Sequence, residues 1–189
     1  ARDHKLFFEA YDDYSDIDGD SKVDLRYKPA ITYYGNFDSY MCYTYNSGVF
    51  TPRIKTEDKK CAGNDDWSGD YLNYLTTSRI DALRKVFYGG KRSTDGTSDT
   101  VLERAYIPQD AHAWGKEYTS TEVDGYNIAD YTPLSQPTGS GAPRHFFANV
   151  TLMCSDSYDI GPSNYALRRS NVLDTGCTAN GNATNGGAN

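Results

Sequence analysis

Asp16, Asp18, Asp20 and Asp24 fall at relative positions one, three, five and nine of the stretch Asp16-Ile17-Asp18-Gly19-Asp20-Ser21-Lys22-Val23-Asp24. Alternation on a tight loop aims the first three carboxylates inward. Lys22, at position seven, can offer its backbone carbonyl, and Asp24 can ligate directly or through a water. This is an oxygen-rich, hard-ligand set of the kind Ca²⁺ takes with about six to eight ligands. Without a cation, four carboxylates this close repel one another. The EF-hand loop places Gly at position six and Glu at position twelve; Ser21 and Tyr27 stand there instead. Gly19 supplies one permissive backbone site, and Glu9, Asp12 and Asp13 lie close enough in sequence to add a ligand or merely field.

The remaining chemistry-bearing residues point away from catalysis. His4, His112 and His145 are far apart in the chain. No nucleophile elbow, HExxH run or phosphate-cradling glycine loop occurs. Asp110 and His112 suggest a structural hydrogen bond. The four cysteines, Cys42, Cys61, Cys154 and Cys177, form no CxxC pair, have no histidine at zinc spacing and lack the CxxCH of covalent haem attachment. They read as two disulfides made in an oxidising compartment. Three connectivities exist for four cysteines, and local pairing, Cys42–Cys61 with Cys154–Cys177, is preferred. Asn149-Val150-Thr151 and Asn182-Ala183-Thr184 have the form of glycosylation sequons and are read as unmodified.

The chain has 189 residues and a net charge of -7, which disfavours nucleic acid and anionic membranes as partners. That length gives one domain with a real core, expected over residues 1–177, followed by a flexible Gly/Asn-rich tail over 178–189. No apolar run approaches the length of a membrane span, and no signal peptide is visible. Seventeen tyrosines against two methionines suggest loop-rich surfaces and interfaces, since Tyr keeps a polar tip wet.

The elements that must position these groups follow from periodicity. Residues 5–11 are a short apolar run expected as a strand, and 23–27 leave the acidic loop extended. Residues 31–35 and 40–45 are β-branched and aromatic and read as strands. Asn46-Ser47-Gly48 turns the chain back into 49–51. A charged loop over 55–66 carries Cys61. One long amphipathic helix is expected over 71–88, with Ser68 as N-cap, Asp70 near the positive end of its dipole and Gly89-Gly90 as its stop. Leu72, Leu75, Leu83, Val86 and Phe87 share its apolar arc, and Arg79, inside that arc, is read as tethering a neighbouring loop. Residues 98–106 are expected as a short second helix, 107–132 as mostly loop, and 144–153 as a late strand. The fold class is α+β: one long amphipathic helix on a small, mainly antiparallel sheet with long loops. The alternative is a partial von Willebrand A-like α/β arrangement.

Several runs taken together resemble a known family. They are Arg2-Asp3-His4-Lys5-Leu6, the Asp16–Asp24 loop, Trp67-Ser68-Gly69-Asp70-Tyr71-Leu72-Asn73-Tyr74-Leu75-Thr76 and the stretch from Arg79 to Lys91. They continue in Val101-Leu102-Glu103-Arg104-Ala105-Tyr106-Ile107-Pro108 and Trp114-Gly115-Lys116-Glu117-Tyr118. Over residues 2–153 the chain resembles the N-terminal region of PilY-type, type IV pilus tip-associated adhesins and biogenesis factors. The resemblance implies an extracellular, pilus-linked, calcium-stabilised adhesion or assembly module with a von Willebrand A-like region. It implies metal roles for Asp16, Asp18, Asp20 and Asp24, with Lys22 through its carbonyl. Implied partners are pilin or other filament subunits, host or abiotic surfaces, and further copies of the chain. The alternative reading is a structural subunit of an extracellular filament. The Asp-x-Ser-x-Ser signature of the von Willebrand A metal site is absent, so that adhesion site is not expected. Family members are many times longer and carry a C-terminal β-propeller, so this chain is expected to be a short relative, a processed piece or an excised stretch.

Overall fold

A computed structural model describes residues 4–12, 15–61, 63 and 65–151. The hairpin of β1 (Met41–Asn46) and β2 (Val49–Lys55) turns through Ser47 and Gly48. Both have positive φ, 48° and 90°, the backbone that matches the right-handed twist of a two-residue hairpin. Pro52 lacks an amide donor and sits on the edge strand, where a register shift between Cys42 and Tyr43 absorbs it. β3 (Asp66–Ser68) pairs with the other side of β1, giving the antiparallel order β2-β1-β3. The Cys42–Cys61 disulfide closes the charged loop beneath this sheet, as local pairing requires. In the chain-entropy picture a loop of this size gains about 3 kcal/mol from its cross-link. Cys154, Cys177 and the boundary at residue 177 lie outside the described residues.

The expected long helix is two helices, α1 (Gly69–Thr76) and α2 (Arg79–Tyr88). Ser68 ends β3 and also caps α1, its Oγ accepting from the Tyr71 N–H at 3.4 Å. The break falls at Thr77 and Ser78, both extended. Ser78 Oγ accepts the Asp81 N–H at 3.2 Å and donates to Asp81 Oδ2 at 2.7 Å, a fresh N-cap in mid-sequence. The opened backbone is claimed by the N-terminal segment. Ala10 N–H donates to Thr77 O and Arg79 N–H donates to Phe8 O, each at 2.9 Å. Residues 5–11, expected as a strand, are instead a 3₁₀ turn over His4–Phe7 followed by this single bridge at Glu9. The turn breaks the apolar arc as well: Leu72 and Leu75 are buried, whereas Val86 and Phe87 are 69% and 74% exposed. Gly89, at φ 83°, closes α2 with Gly90 N–H donating to Arg84 O at 3.1 Å.

Residues 98–106 are not a helix. β4 (Arg92–Asp95) and β5 (Thr100–Leu102) form a hairpin closed by the Gly96 N–H to Asp99 O bond, and Thr100-Val101 suits a strand better than a helix. β6 (Trp114–Tyr118) pairs antiparallel with β7 (His145–Asn149), the expected late strand. The short helix α3 (Thr121–Asp124) and a 3₁₀ turn over Ile128–Asp130 lie in their connection. Residues 23–27 and 31–35 run without ladder partners among the described residues. Among the described residues the result is a mixed α/β fold of three α-helices and small antiparallel sheets.

The core is made largely of tyrosine, against the surface role expected from composition. Tyr27, Tyr33, Tyr71 and Tyr118 are at most 1% exposed and pack with Tyr74, Tyr126, Tyr131, Leu75 and Ile128. The Tyr27 ring lies 5.0 Å from Tyr71 and 5.1 Å from both Tyr126 and Tyr131, all edge-on, the geometry aromatic quadrupoles favour. The hydroxyls are paired inside. Tyr27 donates to Asp70 Oδ2 at 2.9 Å, and Tyr71 and Tyr126 meet at 3.1 Å. Asp70 also accepts the Tyr33 N–H at 2.8 Å and lies 3.6 Å from Lys59 Nζ. Burial pushes its carboxyl up, against those partners.

Candidate metal centre

Tyr27 anchors the acidic loop from below. Its neighbour Lys28 donates its N–H to the Tyr33 hydroxyl at 3.1 Å, which fixes the backbone there to the core. One residue earlier, Arg26 pairs with Asp124 at 2.7 Å. The two ends of the loop are tied together: Asp24 N–H donates to Ser15 O at 2.8 Å, and Ile17 N–H donates to Asp24 Oδ2 at 2.6 Å.

Within the loop, Asp16 Oδ1 accepts the N–H groups of Gly19 and Asp20, and its Oδ2 accepts that of Ser21. Asp18 accepts from Asp20 N–H, and Asp20 accepts from Lys22 N–H. Each is a short Asx turn that winds the backbone tightly. Gly19 and Ser21 both have positive φ, 78° and 67°. Ser21 therefore adopts the left-handed backbone for which glycine is favoured at this position.

Asp16, Asp18 and Asp24 each present one carboxylate oxygen, all within 4.8 Å of one another. Asp24 is buried, whereas Asp16 and Asp18 are exposed. Of the residues expected as ligands, the structure thus brings three together. Asp20 stands beside them and is linked through Lys28. Lys22 enters through its N–H to Asp20. Glu9 and Asp12 are engaged elsewhere: Glu9 pairs with Lys116 at 2.7 Å, and Asp12 accepts from Arg79 Nη2 at 2.7 Å. Arg79 also donates to Glu9 O at 3.1 Å, so it tethers the N-terminal loop as expected. Asp13 lies outside the described residues.

Lys28 is the residue of this cluster that sequence reasoning missed. Its Nζ lies 2.9 Å from Asp18 Oδ2 and 3.7 Å from Asp20 Oδ2, and it pairs with Asp24 Oδ1. The Lys28 ammonium holds the carboxyls of Asp18 and Asp24 below the usual carboxylate range. In return, hydrogen bonds to Asp24 and then Asp18 push the ammonium pKa up. The available signal was the four-residue step from Asp24 to Lys28, but Lys22 and Arg26 lie nearer in sequence and do not single Lys28 out. The donor set is all carboxylate oxygen and fits a hard cation. Asp24 Oδ1 is buried and its charge is met by the Lys28 ammonium, while Oδ2 accepts the Ile17 N–H.

The two histidines whose side chains are described are apart and occupied. His112 Nδ1 meets Asp110 Oδ1 at 2.6 Å, the expected structural bond, and His145 Nε2 meets Ser135 O at 2.7 Å. The amide of Asn149 is buried, with Nδ2 donating to Leu75 O at 2.8 Å and Oδ1 accepting from Arg104.

A protein family described as the PilY1 homolog, small alpha/beta domain, matches residues 24–166, and the chain belongs to it. The match takes in Asp24 and Lys28 and begins after Asp16, Asp18 and Asp20. Two proteins of Xylella fastidiosa strain Temecula1, each named type IV pilus biogenesis factor PilY1 homolog, are similar to it. One is 56% identical over 156 residues, covering 80% of this chain and 10% of the relative. The other is 27% identical over 117 residues, covering 57% of this chain and 9% of the relative. The chain thus spans about a tenth of the length of the curated relatives it matches. No solved structure matches it. The family agrees with the resemblance read from the sequence.

Proposed function

We propose that this chain is a calcium-stabilised module of a type IV pilus biogenesis factor, acting outside the cell in adhesion or filament assembly. The observation that carries the pilus role is the 56% identity with a relative of that name over four-fifths of the chain. The calcium half rests on the converging oxygens of Asp16, Asp18 and Asp24. A disulfide-closed loop supports an oxidising, extracytoplasmic setting. The exposed Leu83, Val86 and Phe87 of α2 support assembly against another surface, with pilin or another filament subunit as the partner. The module works by binding rather than catalysis, a reading favoured by the commitment of His112 and His145 to structural bonds.

Shearing surface filaments from cells of the source organism and probing them for this chain tests the reading. The chain is expected in the sheared fraction, and cells lacking it are expected to lose surface pili or attachment. Retention of the chain in the cytoplasm, with normal piliation and attachment in its absence, would contradict the proposal.

A further inference from the structure

We propose that Lys28 is the resident counter-cation of the Asp16–Asp24 loop, and that a divalent cation enters only by exchanging with its ammonium. This rests on the calcium reading above and adds to it the residue that sets the affinity. The Lys28 Nζ is within ion-pair reach of Asp18, Asp20 and Asp24. Asp18 and Asp24 are also two of the three residues whose oxygens converge. A cation seated on those oxygens would sit within a few ångströms of the ammonium, and two cations so close repel. The ammonium must therefore leave when the metal arrives.

Its way out is open. The Lys28 side chain is 34% exposed, whereas that of Asp24 is wholly buried. Its backbone stays pinned through the Tyr33 hydroxyl and the buried Tyr27 ring. Lys28 is thus a tethered competitor, always present at high local concentration. Asp24 is the fixed half of the device: its side chain is buried, with the Ile17 N–H on Oδ2 and the ammonium on Oδ1, so losing the ammonium leaves a buried charge without its counter-ion.

Selectivity follows from charge. Replacing the ammonium with a monovalent ion changes no net charge and loses the hydrogen bonds to Asp18 and Asp24. A divalent ion doubles the charge facing four carboxylates and takes more oxygen ligands than an ammonium has protons. The loop therefore ignores monovalent salts and binds divalent ions more weakly than its carboxylate count suggests, because only the fraction with the ammonium displaced is competent.

Calorimetric titration of CaCl₂ into the chelator-treated chain tests this, comparing wild type, Lys28→Met and Lys28→Arg, with thermal melts of each in EDTA. K28M is expected to bind Ca²⁺ about tenfold more tightly, as when about a tenth of the wild-type loop is free of the ammonium. It is also expected to melt below wild type in EDTA. Lys28→Arg keeps the charge and is expected to stay near wild type in both readouts. Equal Ca²⁺ affinity in wild type and K28M overturns the exchange while leaving calcium binding intact. An unchanged melt of K28M in EDTA overturns the resident role of Lys28. Absence of binding in wild type and K28M alike overturns the exchange and the calcium reading together.

Discussion

Lys28 ties the electrostatics of the acidic loop to pH. Asp18 and Asp24 have folded pKa values depressed by the Lys28 ammonium. Their stabilising effect is fully present above the ordinary Asp value of about 3.9 and is lost as pH falls through the lower folded values. In that window the unfolded chain binds more protons than the folded one, so stability rises with pH. Asp70 runs the other way. Burial raises its folded value, so its effect is fully present at low pH and is lost as pH rises through that raised value. The partners of Asp70 are Tyr27, Tyr33 and Lys59 rather than Lys28, so comparing wild type with a Lys28 variant isolates the loop. Urea unfolding in EDTA at about pH 6 and about pH 3 is expected to show a larger loss of stability for wild type than for Lys28→Met. Parallel losses would show that Lys28 does not depress the loop carboxyls. The acidic residues were legible in sequence because their spacing states their chemistry. Lys28 was not, because it lies beyond the loop and reaches back only once Tyr27 is fixed in the core.

Secondary elements were legible where local chemistry decides them. Ser47-Gly48 can adopt the positive φ of a tight hairpin, and β1 and β2 form on either side of it. Ser68 and Gly89 mark real helix ends. The break between α1 and α2 was not legible, because its backbone groups are claimed by Phe8 and Ala10, nearly seventy positions away in the chain. A 3.6-residue pattern reports what could share a face, not which neighbours arrive, and so Val86 and Phe87 were assigned to a core they do not reach. The Ser78 cap marks the new start. Ser78→Ala removes an acceptor for the Asp81 N–H and a donor to the Asp81 carboxylate, both fully buried. A loss of about 1–2 kcal/mol is expected in denaturant unfolding. A change below about 0.3 kcal/mol would show that the break is held by the N-terminal segment alone.

At the scale of the molecule, tyrosine replaces aliphatic residues as the main filling of the core. Composition could not reveal this, because Tyr suits a wet interface and a dry cluster equally well until its hydroxyl finds a partner. Here Asp70, Tyr126 and Gln136 supply partners to Tyr27, Tyr71 and Tyr118. The tyrosine cluster joins three stretches of the chain: Tyr27 and Tyr33 arrive from the segment after the acidic loop, Tyr71 and Tyr74 from α1, and Tyr118, Tyr126 and Tyr131 from β6 onward. The loop is thus mounted directly on the core, and its occupancy should register in global unfolding. Thermal melting in excess EDTA and then in about 1 mM Ca²⁺, on wild type and Asp18→Ala/Asp20→Ala, measures that coupling. Calcium at ten times its Kd is expected to add about 1.4 kcal/mol to the wild type, seen as a rise in Tm that the double variant lacks. An identical wild-type melt with and without Ca²⁺ would contradict the metal site and leave the loop an acidic turn whose charge Lys28 partly offsets.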